Sequence, residues 1–220
     1  MSAVPPRLLY EDESLIVVDK EAGHLVHASD EPQPSDIVTM KLVRDFVGHK
    51  IYPTHRLDRP TCGVLLFAKT KTVARALNRA FERKQIEKCY HAIALGHPEK
   101  ESWTCTEPLQ KDETHPWKDA TTDFRVLHLF PEGLVWLEAR PLTGRYHQIR
   151  RHLALSRHSI VGDYFYTKYE TCEEWDQKLQ LGKRMLLQCK SLTFCHPISK
   201  QTTTIEAPKD PIFPSIVSPA

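Results

Sequence analysis

The chain has 220 residues, 40% of them apolar and 26% charged, with a formal net charge of +2 at neutral pH. That size and balance suit one globular domain that buries a core without staples, and the overall field is too weak to mark a nucleic-acid binder by itself. Six scattered cysteines without a CxxC pair argue against a zinc ribbon or a disulfide framework, and neither a signal-like N-terminus nor an apolar run of membrane-spanning length is present, so the expected location is cytoplasmic with no membrane partner.

In chain order, the short apolar runs Leu8 to Tyr10 and Leu15 to Asp19 flank Glu11-Asp12-Glu13-Ser14 and predict a hairpin. Residues 20–33 read as loop. Ser35 can cap a helix in which Ile37, Met40, Val43 and Val47 recur at spacings of three or four, stopped by Gly48. Gly63 to Ala68 is a continuous apolar run of strand length, expected to be buried on both faces. After Thr70, the residues Val73, Leu77, Ala80 and Phe81 mark one face of a helix whose other face carries Lys71, Arg75, Arg79 and Arg83. Strands are predicted at Lys88 to Leu95, Asp123 to Leu129 and Leu134 to Ala139, then at Ser191 to Phe194 and Thr202 to Ile205 around a turn at Pro197 to Lys200. Glu99 to Ala120 reads as a long loop or insertion. Prolines at 208, 211, 214 and 219 predict a tail, 208–220, that is poorly ordered or wraps the surface. Because β-α-β alternation is absent, the expected class is α+β with a mixed or mostly antiparallel central sheet, in a single domain of residues 1–207.

Charge is unevenly spread. From Met40 to His91 twelve Lys or Arg face four acids, and from Arg140 to His158 there are five Arg and no acid, whereas Asp163 to Lys178 holds five acids and two lysines. One basic face able to attract a phosphate backbone is the reading that makes use of this polarity, and an ordinary solvated surface is the plain one.

Three segments could carry chemistry. In His55-Arg56-Leu57-Asp58-Arg59 a carboxylate stands among cations just before a buried strand, held by Pro60 and Gly63. Such an acid stays ionised at neutral pH, which suits a nucleophile and not a general acid, though a loop salt bridge would look the same. In Thr143 to His152, Gly144 allows a tight turn and the residues after it can start a helix on which Tyr146, Arg150, Ala154 and Arg157 share a face able to hold a carboxylate or phosphates. His147 and His152 are five apart and miss the spacing of a metal-binding helix, so no metal site is expected. In Lys88 to Ala92, alternation points Tyr90 with Ala92 and Ala94, opposite Cys89, His91 and Ile93, either into the core or as a base-stacking ring.

Taken in this order, His55 to Lys69 (HRLDRPTCGVLLFAK), KCYHAI around Tyr90 and Pro141 to Asp163 (PLTGRYHQIRRHLALSRHSIVGD) resemble the three motifs of the RluA-type pseudouridine synthase family. The opening LLYEDESLIVVDKEAGHLVH and the closing LLQCKSLTFCHP resemble its framing segments, so the likeness spans nearly the whole chain. It implies a pseudouridine synthase catalytic domain with Asp58 as nucleophile, Tyr90 as the ring that stacks on the target base, Arg150 as the partner of Asp58, and Arg56 as the side chain that fills the gap left by the flipped base. His55, Arg145, His147 and Arg151 are the further RNA-binding residues it suggests. Two departures stand out: Cys62 where the family commonly has serine, and Gln188-Cys189 where it commonly has His-Ala.

The implied reaction breaks the N-glycosidic bond of a uridine, rotates the uracil and joins C5 to C1′. Asp58 would attack C1′ or assist removal of the 2′ hydrogen, and either route needs no cofactor. Arg59-Pro60, Arg150-Arg151-His152 and the lack of an S4-like RNA-binding domain resemble the tRNA-acting, TruC-like branch, with ribosomal RNA as the alternative substrate. No obligatory protein partner is evident. A non-catalytic RNA-binding protein on this fold and an Asp-nucleophile hydrolase of a small glycoside or ester are the competing readings.

Overall fold

A computed structural model of the chain describes residues 5–28, 31, 33–210 and 212–215. Strands β1 (Arg7–Glu11) and β2 (Leu15–Lys20) form the expected antiparallel hairpin, closed by Asp12, whose Oδ1 accepts the N–H groups of Ser14 and Leu15 at 2.7 Å each. Helix α1 (Thr39–Val47) begins after Val38 and not at Ser35. The residues before it are committed elsewhere: Leu25 N–H donates to Ile37 O and Thr39 N–H to Leu25 O, so the backbone is spent on a bridge before it can turn helical. Gly48, in the left-handed region, stops the helix as expected.

β3 (Tyr52–Pro53) is followed by β4 (Cys62–Ala68), in which every residue is buried. Helix α2 (Lys71–Glu82) is capped by the Thr70 side chain, which accepts the Val73 N–H, and it turns Val73, Ala74 and Leu77 inward and Lys71, Arg75 and Arg79 to solvent. β5 (Glu87–Leu95), β6 (Ser102–Cys105), β7 (Thr122–Phe130) and β8 (Leu134–Pro141) come next. β6 lies inside the stretch expected to be loop, because Trp103 finds Phe124 directly opposite on β7 with the rings 5.0 Å apart. Helix α3 covers only Gln148–Leu155, so Tyr146 precedes it, Arg157 follows it at φ 63°, and the shared face expected for Tyr146, Arg150, Ala154 and Arg157 does not form.

Helix α4 (Tyr169–Leu179) occupies the acid-rich stretch, for which no element is predicted, and buries Cys172 and Trp175. β9 (Leu187–Cys195) and β10 (Thr202–Glu206) pair antiparallel around the expected turn, and the single turn α5 (Ile212–Ser215) follows. Every strand pair with a described register is antiparallel, in keeping with the α+β expectation.

By its internal contacts the chain divides into two units, residues 1–87 with 189–207 and residues 88–188 with 208–220. In the first unit the strands run in the order β1, β2, β4, β9, with β3 beside β4 and β10 beside β9. Gly63, the second residue of β4, has φ 104°, and a Cβ there would lie 2.2 Å from the Cys189 carbonyl oxygen, so only glycine fits where the segment carrying Asp58 enters the sheet.

In the second unit the order is β5, β8, β7, β6. Ala92, Ala94, Leu137 and Ala139 face one core with Ile149 and Leu153 of α3, while Ile93 and Leu134 share another with Trp175 of α4 and Phe213 of α5. At 207/208 the chain passes from the first unit back to the second. The described start of the tail is packed down: Pro208 O accepts the Gln188 side-chain amide at 2.9 Å, Asp210 pairs with Arg184, and Phe213 is buried. Pro211 and residues 216–220 lie outside the described residues.

Candidate active site

In the first unit the segment around Asp58 is fastened at both ends. Thr54 donates to Leu66 O at 2.8 Å, and the His55 ring lies on Phe81 of α2, centroids 5.0 Å apart, with its Nε2 accepting the Leu66 N–H at 3.0 Å. His55, expected to touch RNA, is therefore a brace for this loop in the structure. After Asp58 the chain turns tightly, Thr61 N–H donating to Asp58 O at 3.0 Å. Arg59 then locks the turn to the loop after β2: its carbonyl accepts from Gly23 N–H at 2.8 Å, and its guanidinium reaches Gly23 O and Asp36. Arg56 is exposed, Leu57 is buried and Asp58 is half-buried.

Lys20, at the end of β2, is a residue that reading the motifs misses. It is 1% exposed, and its ammonium donates to the carbonyls of Glu21 at 2.8 Å and Arg59 at 3.1 Å. Burial pulls its pKa down to about 8, against the opposing pull of Cys62 and the Asp58 carboxylate. The lysine thus holds the backbone beside Asp58 and supplies positive charge to it. Its alternation with Ile16 and Val18, which puts it on their face of the strand, was the signal for it in the sequence.

In the second unit Tyr90 lies half-buried on β5, opposite Ala139 of β8 and against the core that α3 closes, the face that strand alternation predicts. Arg150 is buried on α3, and Asp163 grips it with two bonds of 2.8 Å, from Nε to Oδ2 and from Nη2 to Oδ1. Gly162, before that aspartate, sits at φ 77° where a Cβ would lie 2.1 Å from Arg184 O. The turn before α3 is built on Gln148, whose Oε1 accepts from Thr143 Oγ1 and Arg145 N–H and whose amide donates to Thr121 O and Thr122 Oγ1.

Three side chains of this segment pin the stretch between β6 and β7. Arg145 donates to Asp119 O, Arg151 to Gln110 O, and the buried His152 bonds Glu107 O and Thr122 Oγ1. A guanidinium has five N–H donors, so one carbonyl exhausts neither arginine. His147, half-buried at φ 52°, bonds the Tyr166 hydroxyl through Nδ1 at 3.0 Å. Burial raises the pKa of that phenol against the pull of Arg150 and Arg151, so it stays protonated at neutral pH.

On the strand face opposite Tyr90, Cys89, His91 and Glu138 bring ligand atoms within 4.8 Å of one another, a donor set that a thiophilic divalent ion could use. Glu138 is already engaged there: burial pushes its carboxyl up, and ion pairs with Arg140 and Arg125 more than reverse the effect. Among the described residues no helix is long and apolar enough to cross a membrane.

Residues 14–155 match the family of RNA pseudouridylate synthases. The chain is 36% identical to tRNA pseudouridine synthase C of Pectobacterium carotovorum over 96% of its own length and 61% of that protein's. It is 32% identical to the Vibrio cholerae protein of the same name, over 96% and 94%, and 34% identical to the dual-specificity RNA pseudouridine synthase RluA of Haemophilus influenzae, over 92% and 93%. Its fold is similar to that of human RNA pseudouridylate synthase domain containing 1, with a TM-score of 0.79 at 24% identity over 98% of this chain and 89% of that one.

Proposed function

The chain belongs to the RNA pseudouridylate synthase family, and from that premise we propose that it isomerises uridine to pseudouridine in tRNA with Asp58 as the nucleophile. The match over residues 14–155, which contains Asp58, Tyr90 and Arg150, carries this reading.

In the reaction the uridine is flipped out of its stack, at a cost of a few kcal/mol that protein contacts must offset. Stacking on Tyr90 contributes about 1–3 kcal/mol, and Arg56, Arg145, Arg151 and His147 contribute at the phosphates and the vacated gap, with His55 acting through the loop it braces. The Asp58 carboxylate forms a bond to C1′ as the N1–C1′ bond breaks, or takes the 2′ hydrogen to give a glycal. The uracil then rotates and C5 bonds to C1′, either as the Asp58–C1′ bond breaks or, in the glycal route, as the proton is returned to C2′; the C5 hydrogen leaves as a proton and N1 takes one up. Arg150, oriented by Asp163, is the proposed partner that directs the carboxylate. Lys20 holds the backbone beside it through the Arg59 carbonyl. All steps are isomerisation, with no base or acid released, which separates this reading from hydrolysis.

Tritium release from C5-labelled uridine in tRNA tests it. Wild type should release tritium, and Asp58→Asn should release none while binding tRNA as tightly. Undiminished release by that variant would remove Asp58 from its role. Ribosomal RNA is the second substrate reading, and the 34% identity to a relative named for dual specificity is in keeping with more than one RNA substrate. Pseudouridine mapping in RNA from cells with and without the protein decides between the two, the expected loss being in tRNA.

A further inference from the structure

Exposed aromatic rings of the second unit gather at one place. Tyr146, 41% exposed, lies flat on His147 with centroids 3.7 Å apart. His147 meets Phe165 and Tyr166 edge-on at 5.7 Å each, and Phe165, 70% exposed, meets Tyr166 at 4.8 Å. Rings left in water as a group mark a surface that something covers.

This group is held in place and does not merely protrude. Asp163, whose two oxygens grip Arg150, also accepts the Phe165 N–H at 3.1 Å, and its carbonyl accepts those of Tyr166 and Thr167. One buried carboxylate therefore sets both Arg150 and the loop of rings. The Arg150 guanidinium carbon sits 5.1 Å from the Tyr166 ring and 6.0 Å from the Phe165 ring. His147 adopts a left-handed conformation that a non-glycine residue holds only at a cost, with its Nδ1 fixed by Tyr166.

We propose that Tyr146, His147 and Phe165 form a stacking platform for an unpaired base of the RNA substrate other than the uridine being isomerised. The proposal rests on the RNA synthase reading and deepens it. Charge favours a nucleotide over an apolar protein segment: the Arg150 guanidinium lies against the Tyr166 and Phe165 rings, Tyr146 and His147 belong to the run Arg140 to His158, which has five arginines and no acid, and the nearest acid to Phe165 in the sequence, Asp163, is paired with Arg150. A π-face takes any base, so the platform selects for a nucleotide that is unpaired, in a loop or at a frayed end, and not for sequence.

The test is the affinity of the full chain for tRNA, read by fluorescence anisotropy, which needs no turnover. Stacking of ~1–3 kcal/mol per base corresponds to about 5- to 150-fold, so Phe165→Ala and Tyr146→Ala should each weaken binding by about tenfold, while Phe165→Trp keeps it. In the tRNA shown by mapping to be modified, bases near the target uridine are then removed one at a time. At one position wild type should lose the same factor and Phe165→Ala should lose nothing further. Unchanged tRNA affinity in Phe165→Ala, or losses that add at every abasic position, would overturn the platform. So would intact affinity with altered self-association, which would make the patch a protein interface. Tritium release by wild type separates the two readings: release with Phe165-independent binding sinks the platform alone, and Phe165-dependent binding without release sinks the synthase.

Discussion

At the residue scale, the side chains that do most are those whose polar groups have nowhere else to turn. Arg150 and Asp163 are both buried, so removing the guanidinium leaves a carboxylate with little solvent to replace it. Arg150→Ala should destabilise the protein by about 3–5 kcal/mol in denaturant unfolding and lower tritium release even at temperatures where the variant is folded. Near-normal stability would show that the pair is replaceable. The motif around Arg150 was plain in the sequence, and the role of Asp163 was not, because the two stand thirteen positions apart, across the rest of α3 and the turns after it, and only packing brings them together. Lys20 escaped for a similar reason: a lysine after an apolar run reads as the end of a strand, and its ligands are backbone carbonyls, one of them Arg59's, which no side-chain pattern announces.

At the element scale, hairpins and amphipathic helices followed the sequence wherever local chemistry and burial agreed. The β1–β2 and β9–β10 turns are joined by Asp12 and His196, whose Nε2 lies 2.9 Å from Asp12 Oδ2, while His196 Nδ1 accepts the N–H groups of Ile198 and Ser199. Partial burial pushes the Asp12 pKa up, but the N–H groups of Ser14 and Leu15 and the hydroxyls of Tyr10 and Ser14 outweigh it and bring it from 3.8 to about 2. A folded pKa below the unfolded one means that this carboxylate stabilises the fold above pH 4 or so and that the contribution is lost as pH falls toward 2. Thermal unfolding followed across that window should show Asp12→Asn losing less stability than wild type; parallel curves would deny the bond network its part. The tail makes a second case. Its prolines forbid a long element, yet Phe213 enters the core shared by Ile93, Phe130 and Trp175, so Phe213→Ala should cost about 3–5 kcal/mol by the same measurement. A cost under about 1 kcal/mol would mean the residue merely rests on the surface. Where elements departed from expectation, a partner distant in sequence was responsible: Leu25 delays α1, and Phe124 turns part of a polar stretch into β6.

At the scale of the whole molecule, a net charge of +2 hides a strongly basic face on α2, where Lys71, Arg75 and Arg79 are exposed. If they contact phosphates, affinity for tRNA should fall with salt at a slope of about −0.7 per contact on logarithmic axes, and Arg75→Gln with Arg79→Gln should flatten it by about 1 to 1.5. Titrations at several salt concentrations giving identical slopes would place the RNA elsewhere. The ordered motifs determined the family and the candidate residues, and the element order the α+β class, because the carboxylate, ring and guanidinium that the proposed reaction uses stand in distinctive local contexts. Tertiary structure alone decided that Asp163 orients Arg150, that Lys20 and Gly23 clamp the Asp58 turn, that Gly63 and Gly162 admit no side chain, and that Phe213 of the tail packs into the core. Those contacts join residues far apart in the chain, and burial makes them strong by removing the water that would otherwise compete, so no local pattern can encode them.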